Sequence, residues 1–128
     1  MCLVPTISAA AAAAGRPAPR IAAGVPASVT ADPERARAHA LDYLGGNARN
    51  PSYQAALERE GISHPADLAL VGDEETVADG LRRYLEAGAT DVRVSPAAFA
   101  TDEERLRTWR LAGELARDAA SHANAARA

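Results

Sequence analysis

The chain has 128 residues, enough for one domain and too few for two. Its 14 basic and 17 acidic side chains leave a formal charge of −3, which excludes the strong positive field of a nucleic-acid binder. Hydrophobic residues make up 48% of it, but Ala dominates them and the aromatics are one Trp, three Tyr and one Phe, so a core built from this segment alone is thin.

Cys2 is the single cysteine, which excludes an internal disulfide and a cysteine metal cluster and fits a reducing, cytoplasmic setting. Met1-Cys2-Leu3-Val4 is followed by neither a basic region nor a strongly apolar one, so it does not read as a signal peptide. No run approaches the roughly 20 apolar residues of a membrane span.

Residues 5–14 (PTISAAAAAA) are strong helix formers and stop at Gly15-Arg16-Pro17. Arg20 to Thr30 reads as a strand through Ile21, Val25 and Val29; Pro26 lacks a ladder donor, which predicts an irregular, bulged or edge strand there. Asp32-Pro33-Glu34 starts a helix that runs to Leu44 and stops at Gly45-Gly46. Asn47 to Pro51 is a loop, Ser52 to Glu60 a short helix ended by Gly61, and Ile62 to Asp67 a second loop.

Leu68 to Val71 is a short apolar run, and Gly72-Asp73-Glu74-Glu75-Thr76 opens a helix with Val77, Leu81, Tyr84 and Leu85 on one stripe. Thr90 to Ser95 alternates Val92 and Val94 as a strand. Thr101 and Glu104 form a capping box for a final helix over 102–119 that carries Leu106, Trp109, Gly113 and Ala116. Residues 121–128 read as a flexible tail.

Strands separated by helices imply parallel pairing. Two or three parallel strands leave two open edges and cannot bury both faces, so such a sheet calls for wall strands beyond those seen here.

Three stretches, PTISAAAAAAGRPAPRIAAGVPASVTADPERAR, NPSYQAALEREG and PADLALVGDEETVADGLRRYLEAGATDVRVSP, resemble in order and spacing the luciferase-like monooxygenase superfamily, over roughly residues 4–116. The resemblance is narrowest to the F420-dependent oxidoreductases, in the C-terminal portion of their barrel. It implies an α/β fold: a C-terminal fragment of a TIM (β/α)8 barrel, helix-rich, whose complete form has about 250 residues. Residues 1–120 would be that barrel portion, with 20–30 its seventh strand, 90–95 its eighth and an insertion over about 45–66. Relatives carry a compact aromatic stretch where Gly45-Gly46-Asn47-Ala48-Arg49-Asn50 stands here.

The resemblance further implies hydride transfer between a deazaflavin, coenzyme F420, and a small organic substrate in the complete protein, with FMN as the alternative cofactor. This chain alone would bind neither and be inactive. In such barrels the chemistry sits at the C-terminal strand ends. Here those ends carry Ser28, Thr30 and Ser95, hydroxyls suited to a cofactor phosphate or a substrate carbonyl, with capping of the next helix as the competing use. Tyr43 and Tyr53 flank the insertion and are candidates to wall a substrate pocket; packing the insertion's own core is the alternative.

No catalytic residue is assigned. Asp73, Glu74 and Glu75 repel a phosphate and suit capping. His39, His64 and His122 lack metal-ligand spacing, so no metal is expected. Arg82, Arg83, Arg105, Arg107 and Arg110 read as solvated helix faces, Trp109 as a packing anchor against the barrel wall, and Cys2 as an unactivated thiol. The rival to an oxidoreductase is a non-catalytic helical interaction module. Either way the open strand edges lead us to expect self-association and no nucleic-acid or membrane partner.

Overall fold

A run of Ala leaves little but backbone to build with, and it forms α1 (Leu3–Ala13). A computed structural model of the chain describes residues 3–46 and 50–125. α1 closes on Gly15, whose φ of 65° lets Arg16 N–H reach Ala11 O at 2.9 Å and Gly15 N–H reach Ala12 O at 3.0 Å. No α1 residue is buried.

β1 (Ala22–Val29) is the centre of a parallel sheet whose order is β2-β1-β3, with β2 at Leu70–Gly72 and β3 at Asp91–Pro96. The fold is therefore mixed α/β and helix-rich with three parallel strands, consistent with part of a (β/α)8 wall. The apolar run 68–71 supplies the third strand. β1 and β3 lie side by side, while β2, which falls between them in the chain, takes the other flank of β1 over Ala27–Val29 only.

That partial flank decides between the readings of Pro26: there is no bulge, and the β2 side of β1 is an open edge at that point. The strand is central, and Pro26 keeps register opposite Ser95. β1 residues alternate between neighbours: Ala27 O accepts from Ala97 N–H on the β3 side, and Thr30 N–H donates to Gly72 O on the β2 side. Pro26 shares the parity of Thr30, so its missing N–H would point toward β2, which begins only opposite Ala27. No ladder bond is lost.

The helix caps follow local rules. Asp32 accepts from Arg35 N–H at 3.0 Å ahead of α2 (Pro33–Leu44), which buries Ala36 and Ala40. α3 (Pro51–Arg59) ends before Gly61, φ 68°. His64 Nδ1 accepts from Ala66 N–H at 3.1 Å and caps a 3₁₀ turn over Pro65–Leu68. Asp73 accepts from Thr76 N–H at 2.8 Å at the start of α4 (Glu74–Glu86).

α5 (Asp102–Ala125) opens on the Thr101–Glu104 capping box, with Thr101 N–H to Glu104 Oε2 at 2.8 Å and Glu104 N–H to Thr101 Oγ1 at 3.3 Å. It runs past Ser121, into the stretch expected to be a tail; residues 126–128 lie outside the described ones, as do Cys2 and residues 47–49 of the expected loop.

Val25, Ala27 and Val29 of β1 pack with Val77, Ala78 and Leu81 of α4 and Leu111 of α5 to form the core. Each buried Val or Leu contributes about 2 kcal/mol, the two Ala far less. Trp109 is not an anchor: it is 55% exposed, as is Leu106 at 57%, because α5 meets the sheet through Glu104, Thr108 and Leu111. Among the described residues no helix is long and apolar enough to cross a membrane.

Candidate functional site at the C-terminal end of the sheet

The sheet has two unlike faces. Side chains alternate along a strand, so Val25, Ala27 and Val29 face α4 and α5 together with Val92 and Val94 of β3. The other parity, Ala22, Gly24, Pro26 and Ser28 of β1 with Asp91, Arg93 and Ser95 of β3, lines the opposite face. There Ala22, Gly24 and Arg93 are exposed, whereas Ser28 and Thr30 at the C-terminal end are covered. Gly24 and Arg93 are register partners, and a Cβ built on Gly24 would stand 3.8 Å from the Arg93 guanidinium, which lies over this flat surface.

At the strand end a buried carboxylate gathers three elements. Glu104 of α5 accepts the Thr30 hydroxyl at 2.5 Å and Thr101 N–H at 2.8 Å, and pairs with the Arg35 guanidinium from α2. Thr30 Oγ1 also accepts from Asp32 N–H at 3.0 Å. One turn on, Thr108 Oγ1 accepts from Val29 N–H at 2.9 Å and donates to Glu104 O at 2.7 Å. Val29 faces the β3 side of β1 just beyond the end of β3, so Thr108 supplies the acceptor that the ladder no longer provides. Burial pushes the Glu104 carboxyl up, but the Thr30 hydroxyl, the Thr101 amide and the Arg35 charge outweigh it and hold the group below the ordinary carboxylate range.

The expected site residues divide accordingly. Thr30 is committed to Glu104 and to the turn before α2, leaving its hydroxyl proton unavailable to a ligand. Ser28 and Ser95 share the face opposite α4 and α5; Ser95 is half-buried, and Ser28 is fully buried with a hydroxyl that has no hydrogen-bond partner among the described residues. Tyr43 and Tyr53 are exposed, and Tyr43 packs edge-on against Phe99 at 6.5 Å, not against Tyr53. Sequence reasoning missed Arg35, Thr108, Phe99 and the placement of Arg93. For Arg93 the signal was there, since the alternation that buries Val92 and Val94 puts Arg93 beside Ser95.

The remaining candidates have local tasks. Asp73 caps α4, and Glu74 takes a two-pronged bond from Arg107 at 2.8 and 2.9 Å, so Arg107 ties α5 to α4 and is more than a solvated charge. His122 Nδ1 meets Asp118 O at 2.7 Å, within its own helix. Among the described residues no group of three His, Cys, Asp or Glu could hold a metal ion.

The model of the luciferase-like monooxygenase family matches residues 2–91, and the chain belongs to that family. No curated protein and no solved structure matches it. The family places the chain among oxidoreductases of the monooxygenase type.

Proposed function

We propose that this luciferase-like monooxygenase chain is the closing C-terminal part of an F420-dependent oxidoreductase barrel, and that the sheet face opposite α4 and α5 is the cofactor side. The observation that carries the reading is the asymmetry of that sheet: α4 and α5 on one face, and on the other small side chains, Arg93, Ser95 and a Ser28 hydroxyl with no hydrogen-bond partner among the described residues. A barrel wall has this construction, with helices outside and polar strand ends inside. An open sheet with free margins leaves the rest of the wall to strands beyond these three.

The residues fit a flavin-type group with an anionic tail. Arg93 presents a charge with no carboxylate partner among the described salt bridges, and Ser95 offers a hydroxyl beside it. Ser28 would add a second donor once what covers it shifts, which would relieve the cost of a dry, unbonded hydroxyl. Ala22, Gly24 and Pro26 add no bulky side chain of their own to this surface, over which the Arg93 guanidinium lies.

When bound, a deazaflavin supplies the hydride chemistry, with FMN as the alternative. The chain's residues would orient the group and keep the strand end rigid through Thr30, Glu104 and Arg35. Tyr43 and Tyr53 would wall the substrate side, and the substrate would be a small organic molecule. In this reading residues 1–120 belong to the barrel, with the insertion over 45–66, and the chain alone is inactive.

The test is an amide-resolved NMR titration of the purified chain with F420 and, separately, with FMN. Expected are shifts at Gly24, Arg93 and Ser95 that stay far from saturation, so that no cofactor is retained by the chain alone, and that are larger for F420. Shifts confined to α4 and α5 would overturn the placement, larger shifts with FMN would overturn the choice of cofactor, and one tightly held cofactor per chain would overturn the need for further wall strands.

A further inference from the structure

Ser, Thr, Asp and Asn are the usual caps of helical turns, and none of them loses its acceptor near neutral pH. Ahead of the 3₁₀ turn over Pro65–Leu68 that place is taken by His64, whose extended backbone, φ −145° and ψ 142°, lets Nδ1 accept from Ala66 N–H at 3.1 Å. Pro65 has no N–H, so Ala66 carries the first donor of the turn. Both residues are buried, and among the described residues Nδ1 is the acceptor this N–H has.

We propose that His64 is a pH-sensitive pin, holding the turn while its imidazole is neutral and releasing it when the ring takes up a proton. With the neutral proton on Nε2, Nδ1 offers a lone pair to Ala66. Protonation puts a hydrogen on Nδ1, two N–H groups then face each other, and a buried backbone donor is left without an acceptor. Asp67 N–H still reaches His64 O at 2.9 Å and Ala69 N–H still reaches Ala66 O at 3.1 Å, so loosening starts at the Ala66 amide.

The turn steadies the β2 flank of the strand end. α2 packs against it, and the chain leaves it through Ala69 directly into β2. There Val71 is the register partner of Ser28, and Gly72 O accepts from Thr30 N–H at 2.8 Å. A released turn slackens the strip of chain that borders the buried Ser28 hydroxyl.

The other two histidines respond differently. His122 Nδ1 meets a carbonyl, Asp118 O, a contact in which the nitrogen must donate and which survives protonation. His39 is exposed on α2. Around His64 the charged groups are Asp67 of the same turn and, from α2, Arg37 and His39, which flank the buried Ala36 and Ala40 around the helix; β2 has none. All three are exposed, and none of the described ion pairs includes His64. Asp73, Glu74, Asp91 and Glu104 are all held below the ordinary carboxylate range, so they stay charged while histidine titrates.

The pin stands apart from the cofactor reading, because it concerns the insertion's own turn and is read with no ligand present. The test is amide hydrogen exchange of the full chain by NMR from about pH 8 to pH 5, the interval in which histidine changes charge, with each rate divided by that of an unstructured amide at the same pH. A His39→Gln and His122→Gln background leaves His64 as the one histidine. Protection at Ala66 should fall about fivefold toward the acid end, as for a lost cap, with a smaller fall at Ala69 and none in α5. His64→Asn, a cap that does not titrate, should hold that protection level across the range. Long-range nitrogen–proton spectra should show Nδ1 free of a proton at the alkaline end. Ala66 protection that ignores pH, the same pH dependence in His64→Asn, or a proton on Nδ1 at the alkaline end would each sink the proposal.

Discussion

Replacing Glu104 by Gln keeps the shape of the side chain and removes its charge. In the native protein that carboxylate receives a hydroxyl, a backbone amide and a guanidinium from three separate elements. An amide offers one oxygen to those three donors and turns its own NH2 toward at least one of them. Removing one member of a fully buried ion pair costs about 3–5 kcal/mol. Arg35 keeps 33% of its side chain in contact with solvent and is partly rescued by water, so the expected loss is about 2 kcal/mol, roughly 30-fold in the folding equilibrium.

Urea unfolding followed by helical circular dichroism measures this directly. The same experiment across pH adds a second reading. The folded Glu104 carboxyl lies below its ordinary value of 4.5, so the unfolded chain takes up the proton first. The stability from this group is complete above that ordinary value and is lost as pH falls through the lower folded one. The Glu104→Gln variant should lack this part of the acid slope. A Glu104→Gln variant within about 0.5 kcal/mol of the parent, with the acid slope unchanged, would refute the view that this carboxylate holds the strand end together.

Thr108→Val strips the acceptor from a buried Val29 N–H and should cost about 1–3 kcal/mol, whereas Thr108→Ser, which keeps the hydroxyl, should cost clearly less; thermal melts of the two variants would separate them. Asp91, held by Arg20 and then by Thr90, should titrate at about 2 by carbon-detected NMR and move back toward 3.8 in Arg20→Ala. Its contribution to stability is present above 3.8 and fades as pH falls through about 2. Gly88→Ala should destabilise by about 1–2 kcal/mol, since φ is 102° and Val4 Cγ1 stands 2.8 Å from the new methyl; a neutral melt would show that α1 yields at that contact.

Features governed by a few neighbouring residues were legible in the sequence. Asp32-Pro33, Asp73 and Thr101-x-x-Glu104 each start a helix by satisfying N–H groups within one turn, and the positive-φ stops at Gly15, Gly61 and Gly88 are equally local. Features set by pairing across the chain were not. Pro26 pointed to an edge because a proline cannot donate, and it sits in the central strand only because β2 starts one residue too late to need the donor. In α5 the apolar spacing favoured Trp109, yet the buried side is chosen by what β1 and α2 lack at their ends, an acceptor and a carboxylate, which Thr108 and Glu104 provide. Thr30 and Glu104 were each visible for a local task; the bond between them spans 74 residues and has no signature in either neighbourhood.

Ser28 carries a consequence for how the chain would respond to selection in the laboratory. Its hydroxyl is buried and bonded to nothing among the described residues, so Ala at that position should fold at least as well as the native residue. A screen for thermal robustness would therefore drift toward Ala there, whereas under the proposed cofactor role a screen for turnover in an assembled barrel would hold the Ser. The direction in which that one codon moves under each regime tells whether the strand end is merely architecture.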